Sequence, residues 1–289
     1  MTTTMTPPPA GTDAPPPGQH PTSGAARVIA ILIAVLGAFV IIGAIISALV
    51  TTIVSASVDT TTRTADVTGV TDLDVDMAAG TLQIEFADIP DAELEVTGTA
   101  GAERWTFRNE DGQLVVTSPQ GWFDGGWPFG GWPFGERAAD DATLVLPEAL
   151  KGADADLSLA AGELIVDDGD FGEVTLDMGA GRTRMTASVE AITVDVSAGA
   201  AELDLEGATE ASFSVSAGAL QATLSGVQPR TLELDVSAGS LDITVPEGDY
   251  DVVSDVTAGD FDNRVGSTPG ADSSVNVQVS AGKAVLKAD

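Results

Sequence analysis

The sequence contains no cysteine. That excludes disulfides, thiolate metal sites and a cysteine nucleophile. Its one histidine, His20, lies in a proline-rich tail, so neither a Ser-His-Asp triad nor a histidine zinc site can form in a folded part. Cations are scarce: 12 Lys and Arg stand against 44 Asp and Glu, for a net charge of −32. Almost all of that excess follows residue 58. Such a surface repels nucleic acid and anionic lipid headgroups, so no nucleic-acid partner is expected. Aromatic residues make up 5% of the chain, yet Trp122, Trp127 and Trp132 fall within one short stretch.

What is present divides the chain into regions. Residues 1–27 are rich in Pro, Thr and Gly, with two PPP runs and no apolar periodicity, and read as a disordered tail. No two of these prolines stand at the i, i+3 spacing of SH3-type ligands. Residues 28–50, VIAILIAVLGAFVIIGAIISALV, carry no charge and one polar side chain, Ser47. At about 1.5 Å per residue this run spans roughly 35 Å, enough for a bilayer core. The other reading is a cleaved signal peptide ending near Val54 to Ala56, but the run exceeds the usual ~7–15-residue apolar region. A signal anchor is the expectation, with the lipid bilayer as partner of 28–50. Arg27 on the N-terminal flank points to a single-pass protein of the cell membrane with a cytoplasmic N-terminus and an extracytoplasmic C-terminal domain. Residues 51–64 read as a Ser/Thr-rich spacer, and 65–289 as the folded domain.

A small-Ala-Gly corner recurs through that domain. It ends at Gly80, Gly162, Gly181, Gly199, Gly218, Gly239, Gly259 and Gly282. Three residues before each glycine stands Met77, Leu159, Met178, Val196, Val215, Val236, Val256 or Val279, all apolar. Five before it the residue is again apolar, except at Ser254, and the residue between is polar. This is the period-two pattern of a strand with one buried face. The alternation resumes after the corner, as in Leu220, Ala222 and Leu224. Each unit therefore reads strand, corner, strand, turn. The glycine is expected to take positive φ, and the small residues before it to relieve crowding in the bend. A period near 20 residues suits an all-β, β-helix-like β-solenoid of stacked coils. A sandwich of twisted hairpins is the other architecture. Lys283 and Lys287, two of three lysines, lie on the last strand, where charge is expected to protect an exposed edge.

Three features bear on function. The first is the aromatic, Gly-rich insertion 121–137, between strand-like runs Gln113 to Ser118 and Ala142 to Leu146. Its Trp122, Phe123, Trp127, Phe129, Trp132 and Phe134 are the candidate ligand contacts, on sugar rings or a protein partner. Two other roles are covering an apolar edge and dipping into the outer leaflet. The second is the row Asp177, Asp195, Asp235 and Asp255, at equivalent coil positions and interrupted by Ser214. Stacked carboxylates repel, and calcium would relieve the repulsion; a solvated acidic face is the plainer reading. No EF-hand or glycine-rich calcium repeat is present. The third is Asp167, Asp168 and Asp170, the sort of cluster that some polysaccharide-cleaving β-helices use. In so acidic a chain it does not stand out, so neither enzymatic activity nor a cofactor is expected.

The SAG corners, LVLPEAL at Leu144 to Leu150, ITVPEG at Ile243 to Gly248 and the Gly/Trp/Phe insertion resemble a bacterial family of membrane-anchored "putative adhesins". These are β-strand-repeat (SAG-repeat) proteins of a domain-of-unknown-function class. The resemblance covers about residues 65–289. It implies a β-solenoid in the cell envelope and supplies no catalytic or site residues. The expected function is a surface binding module whose partner is a cell-surface glycan or protein. The alternative is a structural or regulatory envelope protein partnering another membrane protein.

Overall fold

The computed structural model describes residues 59–98, 102–119 and 141–289. Segments 1–27 and 28–50 lie outside these, and so does the insertion 121–137. Among the described residues no helix is long and apolar enough to cross a membrane.

The described part is all-β. In chain order the strands are β1 (Asp59–Ala65), β2 (Asp72–Met77), β3 (Thr81–Ala87), β4 (Ala92–Gly98), β5 (Thr106–Glu110), β6 (Gln113–Thr117) and β7 (Asp141–Pro147). There follow β8 (Ala153–Leu159), β9 (Glu163–Met178), β10 (Arg182–Val196), β11 (Ala200–Glu206), β12 (Glu210–Val215) and β13 (Ala219–Ser225). The last six are β14 (Thr231–Val236), β15 (Ser240–Val245), β16 (Tyr250–Val256), β17 (Asp260–Asn263), β18 (Ser273–Val279) and β19 (Lys283–Ala288). Two short 3-10 turns, Ala102–Arg104 and Glu148–Leu150, complete the set.

Each corner joins two strands into a rung, and neighbouring rungs pair in parallel through both strands. The order is β6/β7, β2/β3, β8 with the first half of β9, then the second half of β9 with the first half of β10. Next come the second half of β10 with β11, then β12/β13 and β14/β15. Apart from Thr183, Ser273 and Ser254, the inward rows are apolar, as alternation predicts, and their buried residues form one cluster.

The glycines serve a different purpose from the one expected at most corners. Among the eight corner glycines, positive φ occurs only at Gly80, Gly162 and Gly181. Elsewhere the requirement is space. A Cβ on Gly199 would sit 2.7 Å from the Gly181 carbonyl oxygen, and one on Gly218 would sit 2.5 Å from that of Gly199. The ladder of backbone hydrogen bonds runs through the corner itself: Ala198 N–H donates to Gly179, and Ala217 N–H to Ser197, both at 2.9 Å. Successive corners thus lie too close for any side chain at the glycine. The alanine before the glycine is not inside the bend, since none of the eight is buried.

The stack departs from chain order at its end. β18/β19 pairs with β14/β15 on one side and with β16/β17 on the other. Residues 250–263 are therefore the outermost rung, although 273–288 follow them in sequence. This corrects the expectation for Lys283 and Lys287. Their strand is internal, and Lys287 Nζ lies 2.9 Å from an Asp242 carboxylate oxygen on β15. The placement of charge agrees with this order. With the two rungs exchanged, Asp242 would face Asp262 instead of the β19 strand that carries Lys287. The order also explains Ser254. It occupies an inward position of the outermost rung, which no other described strand covers, so its hydroxyl meets solvent.

The opposite end is covered. β1 pairs antiparallel with β4, β4 with β7, and β5 with β6. Trp105 and Phe107 are buried there. β1 begins at Asp59, inside the stretch that composition assigned to a spacer. Its threonines are good strand formers. Arg63 anchors it, donating to the carbonyl of Trp105 at 2.7 Å.

Candidate functional site

The residues that flank the insertion have a defined place in the stack. In the other eight rungs three residues separate the two strands, as in 78–80 and 160–162. In the β6/β7 rung the strands are separated by residues 118–140. Both ends of that segment are fixed beside the Gly80 corner. Ser118 N–H donates to the Asp76 carbonyl at 2.9 Å, and the buried Ser118 Oγ accepts from Ala78 N–H at 2.8 Å. Asp141 is in register with Thr81 on β3 and Thr97 on β4. The candidate contacts Trp122, Phe123, Trp127, Phe129, Trp132 and Phe134 lie outside the described residues. The strand-like runs predicted on either side are β6 and β7.

The acidic row is only partly assembled. Register runs Asp76, Ser158, Asp177, Asp195, Ser214, Asp235, Gln278, Asp255 across adjacent strands. Asp177 and Asp195 are neighbours. Asp235 is separated from Asp195 by Ser214, as the sequence indicates, and from Asp255 by Gln278, which sequence order conceals. The four candidate calcium ligands therefore do not converge. Among the described residues no group of three or more acidic or histidine side chains is placed to hold a metal ion. A shallow 260 Å³ depression at the corner is lined by Asp76, Ser158, Asp177, Asp195 and Ser197. Partial burial, together with the nearby Asp195 and Asp156, raises the Asp177 carboxyl above its ordinary value. Asp74 is raised likewise by partial burial and by Asp156 and Asp76.

Asp167, Asp168 and Asp170 lie on the bend between the halves of β9. Asp168 takes φ 51°, and Asp167 accepts a 3.2 Å hydrogen bond from Gln83 Nε2. Asp167 and Asp168 are exposed.

One surface was not singled out from sequence. A 420 Å³ trough crosses the second strands of successive rungs, with Ala200, Ala219 and Ser240 along it and Arg182 and Lys283 at its ends. The signal was available: these are the residues that directly follow the corner glycines, so reading that column down the repeat assembles the row.

No family model matches the chain, and no curated protein matches it. Solved structures do. A "putative cell adhesion protein" from Clostridium sporogenes is 11% identical with TM-score 0.36, over 81% of this chain and 100% of its own. A "putative adhesin" from Bacteroides fragilis is 11% identical with TM-score 0.42, over 80% of this chain and 97% of its own. A "putative lipid binding protein" from Parabacteroides distasonis is 12% identical with TM-score 0.42, with the same coverages of 80% and 97%. At this level the likeness carries no argument about what the chain binds.

Proposed function

We propose that the chain is a membrane-anchored, extracytoplasmic β-solenoid that acts as a surface binding module, with the aromatic insertion as its contact site. One observation carries this reading. Eight rungs turn their corner in three residues, and the ninth replaces the corner with a segment holding three Trp and three Phe. Stability of the stack gives no reason for that replacement, because the three-residue corner already continues the hydrogen-bond ladder. Trp and Phe on a polar, glycine-rich segment suit stacking on sugar rings or on an apolar protein patch. The acidic outer faces keep the rest of the surface soluble. Residues 28–50 supply the anchor, with the N-terminus cytoplasmic. No catalytic or cofactor role forms part of this reading.

The test is binding of the full-length chain, held in nanodiscs, to cell-wall polysaccharides, host glycans and matrix proteins. The variant W122A/W127A/W132A runs in parallel. Binding by the parent that the variant loses, with its circular dichroism unchanged, is the expected result. Equal binding by both contradicts the assignment of the insertion. No binding by either moves the partner into the same membrane, as for a structural or regulatory envelope protein.

A further inference from the structure

We propose that residues 250–288, the last two rungs, exchange between two copies of this chain to form a dimer. At the other rung boundaries on this side of the stack, the chain passes directly from one rung to its spatial neighbour. After Val245 it skips a rung: 246–249 leads to β16/β17, and the chain then returns as β18/β19 to fill the gap.

The two last rungs therefore form a unit of their own. β16 pairs with β18 from Tyr250↔Ser273 to Val256↔Val279, and β17 pairs with β19 from Asp260↔Lys283 to Asn263↔Leu286. This unit docks on the body through one face, β18/β19 against β14/β15. Its covalent link is the short connector Pro246-Glu247-Gly248-Asp249.

The docking face continues the rungs before it. Val275, Val277 and Val279 continue the row of Leu232, Leu234 and Val236, and Ala284 and Leu286 continue that of Leu241 and Ile243. The corner admits only glycine, since a Cβ on Gly282 would strike the Gly239 carbonyl oxygen. Lys287 meets Asp242. A second copy's 250–288 satisfies each of these conditions as well as the chain's own. Exchange then costs only the connector's local contacts and the association entropy, which is why swapped elements are a low-cost route to dimers. Proline in the connector favours an extended course. The 2.7 Å bond from the Tyr250 hydroxyl to the Pro246 carbonyl holds it in the closed one.

The absence of native cysteine makes the test clean. Glu233 on β14 and Asn276 on β18 are in register, at a strand spacing that a disulfide can bridge. Full-length E233C and full-length N276C are mixed in detergent, warmed below the melting temperature, cooled and oxidised. A reductant-sensitive dimer from the mixture, absent from either variant alone, is the expected result. Adding Tyr250→Phe to both variants raises its yield about fivefold, the value of one lost hydrogen bond. The double variant E233C/N276C closes within one chain and blocks exchange. Closure in that variant with no dimer from the mixture overturns the proposal.

Discussion

At one end of the stack antiparallel strands cover the last rung, and their own Leu94, Val96 and Phe107 are buried together with Trp105. At the other end the inward positions of β16 open to solvent beyond the buried Tyr250, with Val256 40% exposed and Ser254 in the place of an apolar residue. β6 at the covered end alternates buried and half-buried residues, whereas β16 runs from buried Tyr250 to four exposed residues. The difference teaches that an inward position has no fixed energetic value. It is worth a core residue only where a further layer sits on it. The covered end also holds β1, the first described strand, and the residues that flank segment 118–140. The open end carries only repeat.

The largest expected effect sharpens the contrast between stacked and unstacked backbone. Gly162→Ala combines φ 122° with a Cβ driven into the Gly80 backbone, so it should cost at least ~3 kcal/mol. Gly266→Ala has φ 81° but open space around it, and should cost about 1 kcal/mol. Urea melts of the two variants read this directly; equal costs would break the glycine-ladder explanation.

Next comes burial. Leu94→Ala at the covered end should lose ~2–5 kcal/mol, and the same truncation of half-buried Val252 at the open end less than about 1 kcal/mol. Similar losses would mean that something covers rung 250–263 in solution. Ser254→Val is smaller still. It should leave the melting temperature within a degree or two but increase concentration-dependent association, read by light scattering, because it adds apolar surface to a free edge.

The smallest effect is electrostatic. Asp177 holds its proton more tightly when folded than when unfolded. Its contribution therefore favours folding at low pH and is lost as pH rises through the raised value. Asp177→Asn should stabilise the protein at pH 7 by less than ~1 kcal/mol, less again in high salt, and the gain should vanish near pH 3. A gain that persists at pH 3 would assign the effect to something other than charge.

How far the sequence reached follows from these contrasts. Period-two alternation and the repeated corner carried the all-β class and the strand boundaries of Leu82 to Phe86 or Leu220 to Leu224, because both express burial along one strand. The same signals were silent on rung order. Every corner satisfies every other, so only cross-strand partners such as Lys287 and Asp242 distinguish neighbours, and those need the register. For the same reason Asp235 and Asp255 looked like a continuing row until Gln278 was found between them. Ser254 was visible as an exception but had no explanation without the open end. β1 was hidden because a Thr-rich stretch reads as a spacer until β4 is found to pair with it. The insertion was legible as sequence and as a place in the stack, and its aromatic contacts remain part of the proposal.

The out-of-order rung is the feature on which the open end, the internal lysines and the exchange all depend. Disulfide mapping in the cysteine-free background tests it most directly. The register puts Gln278 between Asp235 and Asp255. D235C/Q278C should therefore close within one chain under mild oxidation, and D235C/D255C, two strand spacings apart at about 10 Å, should not. Ready closure of D235C/D255C would mean that the rungs stack in chain order, and would contradict that register.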